Sequence, residues 1–219
     1  MKLLDIDRST TVEKVAMALR HAVFSGALKP GEPLREISLA KQLGVARGTL
    51  REAIQALMAG GLLDKVPNRG VTVRRLTAAE VEDIFRARFM LEREAAKAAA
   101  TCSDSALEAL ARAFAAYAVQ ATADDPAGIA AAHIEFHTAL VGLAGSHRLA
   151  ELERTLVGEL QLVIASVDSN LDDRPGEIER HRTICGHACA RRVDELTRCL
   201  ENDLLRAQSF TIQQTEAQG

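Results

Sequence analysis

A chain of 219 residues suits one large domain or two small ones. Its 27 Lys+Arg and 30 Asp+Glu leave a formal charge of −3, which taken whole argues against a partner made of phosphate. The charge is unevenly spread. Residues 1–76 hold 13 Lys+Arg against 7 Asp+Glu, a net +6, and residues 77–219 hold 14 against 23, a net −9. A basic head is drawn to polyanions and an acidic body stays off them. No apolar run reaches about 18 residues, so no membrane-spanning helix is expected. The opening MKLLDIDRST lacks the apolar stretch of a signal peptide, and a cytoplasmic protein is expected. Cys102, Cys185, Cys189 and Cys199 show no C-x-x-C spacing and are expected to be reduced, buried as small apolar residues. With one Tyr and no Trp, the core must be aliphatic.

The stretch from Leu34 to Arg75 carries the densest local signal. Leu39, Ala40 and Leu43 give a short helix an apolar stripe. Gly44 stops it where a positive φ costs least. The next helix buries Leu50, Ile54 and Leu57, with Ala53 allowing close approach, and ends at Gly60-Gly61. Its other face presents Arg47, Thr49 and Arg51 near its N-terminus. Leu62 to Val66 and Val71 to Arg75 read as two strands, joined by turn chemistry at Pro67-Asn68-Arg69-Gly70. Two helices about a tight turn, followed by a basic-tipped hairpin, make a winged helix-turn-helix. In that arrangement the N-terminal end of the second helix enters the major groove, where Arg can bridge guanine O6 and N7 or hold a phosphate.

This stretch resembles the GntR family of bacterial transcriptional regulators. The resemblance rests on Leu34, Glu36, Leu39-Ala40, Leu43-Gly44-Val45, Arg47, Leu50-Arg51-Glu52-Ala53-Ile54, Leu57 and Gly61-Leu62. Upstream, Leu19-Arg20, Gly26 and Leu28-Lys29-Pro30-Gly31 match the family's first helix and following loop. The resemblance implies Arg35, Arg47, Thr49, Arg51 and the wing near Gly70 as DNA contacts; Arg69 at the wing tip would reach the minor groove or backbone, and a homodimer on a palindromic operator in double-stranded DNA is expected because one recognition helix reads only a few base pairs. One departure is Ala46, where the family usually has Ser. It removes an N-cap hydroxyl worth about 1 kcal/mol.

Beyond residue 76 period-3.6 stripes of Ala, Leu, Glu and Arg replace the strand signal. Thr77 with Glu80 forms a capping-box pattern. Ser103 opens a run to about Gln120, and Asp124-Asp125-Pro126 opens the next with Pro in its first turn. Gly145-Ser146 separates that helix from one running to about Val167; Asp172 to Gly176 reads as a loop; two more helices follow, broken near Arg191 to Asp194. The expected fold is mainly α: a winged helix-turn-helix over residues 1–76, an antiparallel six-helix bundle over 77–213 and a polar, frayed tail over 214–219.

His133 and His137 stand at i, i+4 in AAHIEFHTAL, a spacing that suits two ligands of one metal but also two ordinary polar side chains. His181 is expected to open the penultimate helix. Asp203 lies 22 residues on, equidistant from a chain reversal near residue 192. Three imidazoles and a carboxylate would suit zinc, with nickel, iron or manganese as alternatives.

Residues 77–210 resemble the all-helical effector domain, called FCD, of the FadR subfamily. Its motif is Asp-x-x-Phe-His, a second His opening a later helix, and a third His 22 positions on. Here His133-Ile-Glu-Phe136-His137, His181 and Asp203 exchange the first and last ligand types, which preserves the inventory. The resemblance implies a divalent metal held by His133, His137, His181 and Asp203, and a small carboxylate effector. It places Arg88 in the effector cavity; a salt bridge to Glu92 at i, i+4 is the other reading of that residue. Ser146, where the family usually has Asn, can still cap the next helix.

A metal-dependent hydrolase is the main rival to a ligand-responsive regulator, and a ligand-free architectural DNA binder is a second. HIEFH is not H-E-x-x-H, and Glu135, about 200° round the helix from His133, points away from the metal face. No P-loop, G-x-G-x-x-G or G-x-S-x-G is present. An enzyme is not expected.

Overall fold

The computed structural model describes residues 10–67, 69–123, 125–164 and 174–217, and the chain divides into two compact units, residues 1–75 and 76–219. The first unit holds α1 (Thr11–Phe24), α2 (Glu36–Leu43), α3 (Arg47–Ala59), β1 (Leu63–Val66) and β2 (Gly70–Val73). Thr10 caps α1 in a full capping box with Glu13. Gly44 ends α2 at φ 65°, the left-handed cap that its position demanded. Ala46 caps α3 with no side-chain hydrogen bond, as the missing hydroxyl required. Leu50, Ala53, Ile54 and Leu57 are all buried on the inner face of α3. On α2 only Ala40 is fully buried, and Leu43, expected in the stripe, keeps 37 % of its surface at the helix end. β1 and β2 pair antiparallel from Leu63↔Val73 to Val66↔Gly70; each is one residue shorter than the run proposed, and β2 starts one residue earlier and ends two earlier. Gly70 closes the hairpin at φ 80°; Asn68, expected in this turn, lies outside the described residues.

The second unit holds α4 (Ala78–Ala98), α5 (Asp104–Gln120), α6 (Pro126–Gly142), α7 (His147–Ile164), α8 (Arg174–Cys189) and α9 (Val193–Ala217). Local chemistry sets most boundaries. Thr77 and Glu80 complete a capping box on α4. Ser103 caps α5 through the backbone N–H of Ala106, and Pro126 occupies the first turn of α6. The N–H of Leu149 donates to Ser146 Oγ at 3.4 Å. α6 lies between α5 and α7, α8 packs on α5 and α9, and α4 packs on α9, α6 and α7. One apolar core joins Leu110, Tyr117, Phe136, Leu140, Ile184, Leu196 and Leu200; another joins Val81, Phe85, Leu160 and Leu204.

Three expectations need correction. The loop proposed through Gly176 is helical from Arg174, because Pro175 and Gly176 sit in a first turn, where a missing backbone N–H and a missing side chain cost little. The polar tail proposed from residue 214 continues α9 to Ala217. The cysteines are not uniformly buried: all are free thiols, but only Cys185 is buried and Cys189 is exposed. Burial, then the neighbouring Cys189, pushes the Cys185 thiol up to about 12, which makes it inert. The turn between α8 and α9 is made by Arg191 at φ 56°. Its Nη1 donates to the carbonyls of Ala99 and Cys102, both at 3.0 Å, and its Nη2 donates to Asp104 Oδ1 at 2.7 Å.

Candidate functional site

In the N-terminal unit the expected contact residues lie at the surface. Arg35 precedes α2, Arg47 is the first residue of α3, and both are exposed; Thr49 is half-buried behind them. Arg51 is exposed, with its Nε donating to Glu36 Oε2 at 2.8 Å, so α2 holds one edge of the guanidinium. Arg69 and Gly70 are exposed at the hairpin turn.

In the helical unit a cavity of ≈ 370 Å³ receives side chains from all six helices. α4 gives Phe85 and Arg88, α5 Tyr117, α6 His133 and His137, α7 Val157 and Gln161, α8 Glu177, Arg180 and His181, and α9 Asp203, Arg206 and Phe210. One ring nitrogen from each of His133, His137 and His181 lies within 4.8 Å of the other two. His137 and His181 are 2 % exposed, and their Nε2 atoms stand 3.1 Å apart. His133 keeps 14 % of its side-chain surface. Burial, reinforced by the positive charge of Arg88 and by the neighbouring imidazoles, holds His133 and His137 well below the usual histidine range. They are therefore neutral near pH 7, the state that ligates a metal.

Each imidazole is held through Nδ1. His181 Nδ1–H donates to the Glu177 carbonyl at 2.8 Å. His137 Nδ1 lies 3.1 Å from Arg88 Nη2 and 3.2 Å from Glu92 Oε1. With its proton on Nε2 this ring accepts from Arg88. With Nδ1–H it donates to Glu92 and leaves Nε2 bare. His133 Nδ1 lies 3.2 Å from the Gln161 side-chain amide nitrogen. Outer-shell partners of this kind orient metal-bound histidines and fix their tautomer.

Of the four expected ligands the structure brings three together. Asp203 lines the same cavity, but its Oδ1 stands 3.3 Å from Arg180 Nε. The Asp203 carboxylate faces Arg180 in this structure rather than the three imidazoles. His181 also lies two turns inside α8 rather than at its start. Three imidazoles suit zinc, nickel or iron, and a three-ligand set leaves positions open for a small ligand. Glu135 points away, as expected, and pairs with Arg154.

Arg88 is paired with Glu92 as the i, i+4 spacing suggested, but inside the bundle rather than at its surface. It lines the cavity and is 3 % exposed; Nη2 donates to Glu92 Oε1 at 2.5 Å and Nε donates to Glu153 Oε1 at 2.8 Å. Glu153, itself fully buried, leaves Oε2 without a hydrogen bond. Burial and the charge of Glu92 push its carboxyl up to about 8 against the opposing pull of Arg88. Two carboxylates thus share one cation, and burial favours the protonated form of Glu153. Glu92 was legible as a partner at i, i+4. Glu153, Gln161, Tyr117 and Glu177 were not, since only helix packing brings Glu153 to Arg88 and the other three to the cavity. Burial, then the charges of Glu177 and Asp203, pushes the Tyr117 hydroxyl up, so it remains a neutral donor.

A basic winged helix-turn-helix joined to a helical bundle with a built internal cavity defines a DNA-binding transcriptional regulator. Residues 11–73 match the bacterial regulatory proteins of the gntR family, and residues 83–206 match the FCD domain. The chain belongs to the GntR family, with the FadR-type arrangement of domains. A protein named "Probable D-xylose utilization operon transcriptional repressor" from Paenarthrobacter nicotinovorans is 32% identical over 181 residues, 82% of this chain and 79% of that protein. YdhC of Bacillus subtilis (strain 168), an HTH-type transcriptional regulator, is 40% identical over 74 residues, and the match spans only 33% of its length. The crystal structure of a GntR transcriptional regulator from Rhodococcus sp. RHA1 superposes with a TM-score of 0.80 at 29% identity, over 93% of this chain and 98% of that one. These relatives and domains are those of regulators, not enzymes. No described helix is long and apolar enough to cross a membrane.

Proposed function

We propose that the chain is a repressor that binds a palindromic operator as a homodimer and responds to a small carboxylate at a divalent metal, zinc before nickel, iron or manganese. The observation that carries this reading is the buried trio His133, His137 and His181, each ring tied through Nδ1 and set in a cavity that Arg88 also lines. His133, His137 and His181 would hold the ion, and Asp203 would join them by turning from Arg180. The ion would supply a Lewis-acidic anchor for one end of a carboxylate. Arg88 would meet another part of the effector, because its cost of burial is already offset by Glu92 and Glu153. An effector shifts DNA affinity only by its differential affinity for two arrangements of the heads, with the segment at Leu76-Thr77 as the hinge. The name of the Paenarthrobacter relative supports repression.

The test is native mass spectrometry with elemental analysis of the purified protein, and gel shifts on duplexes from around its own gene with and without candidate acids. Absence of bound metal sinks the metal reading; indifference to every duplex at low salt sinks the operator reading.

Arg35, Arg47, Thr49, Arg51, Arg69 and Gly70 are the proposed contacts. Arg47→Ala is expected to weaken operator binding by about 1–3 kcal/mol and to relax specificity at the base it reads. Equal affinity of variant and parent in a gel shift counts against this role. Raising the salt from 50 to 200 mM should weaken binding steeply, as each neutralised phosphate adds about 0.9 to the log–log slope. A flat salt response argues against backbone contacts by the basic head.

A further inference from the structure

We infer that Gln161 is a positioning residue of the metal centre: its side-chain amide holds Nδ1 of His133 and so makes Nε2 the nitrogen this ring offers to the ion. The inference rests on the metal reading above. Gln161 is 4 % exposed, lines the cavity, and stands two turns from the buried Glu153 on the same face of α7. Its amide nitrogen is 3.2 Å from His133 Nδ1. A half-turn of the amide presents Oε1 instead, which accepts the Nδ1–H that a metal-bound imidazole carries.

The pattern is common to all three rings. His181 Nδ1 is held by the Glu177 carbonyl at 2.8 Å and His137 Nδ1 faces Glu92 Oε1 at 3.2 Å. Three different helices thus supply one Nδ1 partner each; the Nε2 atoms of His137 and His181 face each other at 3.1 Å, and that of His133 stands 3.8 Å from Glu177 Oε1. The pair also makes chemical sense of a histidine at position 133. A carboxylate ligand offers two equivalent oxygens and needs no partner to select a donor atom. An imidazole has two distinct nitrogens, and a hydrogen bond on one selects the other.

The test is a double-mutant cycle on full-length protein stripped of metal, with zinc affinity read by competition against a chromophoric chelator. Gln161→Leu is expected to weaken zinc binding by about 10–100-fold, the range for loss of an outer-shell partner. In a His133→Asp background the same substitution should cost less than about threefold, because the group it acts through is gone. The cobalt-loaded Gln161→Leu protein should show shifted visible bands, while the melting temperature of the metal-free form stays at the parent's. Unchanged zinc affinity in Gln161→Leu overturns the assignment. An equal loss in both backgrounds also overturns it and makes the residue one of packing. A parent protein with no zinc affinity overturns the metal reading itself, before any variant is compared.

Discussion

Arg88→Met is expected to destabilise the helical unit by about 3–5 kcal/mol, the cost of leaving buried charge without its partner. The guanidinium is 3 % exposed and bonds to Glu92 and Glu153, which are 1 % and 0 % exposed. Methionine fills the volume, so the loss reports charge rather than a void. The two carboxylates would then face each other with no cation between them, and His137 Nδ1 would lose its donor. Urea titration followed by far-ultraviolet circular dichroism reads the effect; a loss below about 1 kcal/mol would mean that the carboxylates escape to water or share a proton at little cost. The same cluster sets a pH dependence. The Glu153 carboxyl is raised from its ordinary 4.5 to about 8, so the folded state binds more protons than the unfolded state between those values. The contribution of Glu153 to stability is then fully present below about pH 4.5 and falls as pH rises toward 8, while the lowered His133 and His137 contribute a slope of the opposite sign below about 6.5. Glu153→Gln should flatten the fall toward pH 8 in metal-free protein, measured by urea titrations at several pH values. An unchanged slope in Glu153→Gln defeats this account of the cluster.

His137→Ala is expected to empty the metal centre. The substitution removes one of three convergent nitrogens and severs the link that His137 makes from the centre to both Arg88 and Glu92. Loss of a ligand exceeds loss of an outer-shell partner, so the fall in affinity should be larger than about 100-fold. Elemental analysis of protein purified without added metal is the measurement. Stoichiometric metal in the variant would remove His137 from the ligand set and leave the trio as a packed polar core. Because Arg88 stays paired with Glu92 and Glu153, the melting temperature of the metal-free variant should fall far less than that of Arg88→Met.

Local signals made most of the architecture legible. A capping box at Thr77 and Glu80, a proline in the first turn of α6 and a glycine at the end of α2 each act within one turn of chain, and each boundary they imply is present. The i, i+4 pair His133 and His137 was visible for the same reason. Features that depend on rotation or on distant packing were not. The 22-residue spacing of His181 and Asp203 brings both to one cavity, but it did not show that the carboxylate would face Arg180. Glu153 lies 65 residues from Arg88, and nothing at either position announces the other. Gln161 lacked any local signature. It became visible only when α7 was seen to place it over the Nδ1 of His133.

The left-handed turn at Arg191 has a bearing on the cavity although it lies outside it. Glycine would adopt φ 56° at less cost. Arginine remains there with a side chain that fastens the α8–α9 turn to the corner between α4 and α5. Both helices that bring His181, Arg180 and Asp203 to the cavity start from that anchored bend. Their mutual offset is thus fixed at one end, like two rulers pinned at zero, and a single residue inserted between Ala190 and Arg192 would misalign every graduation beyond the pin.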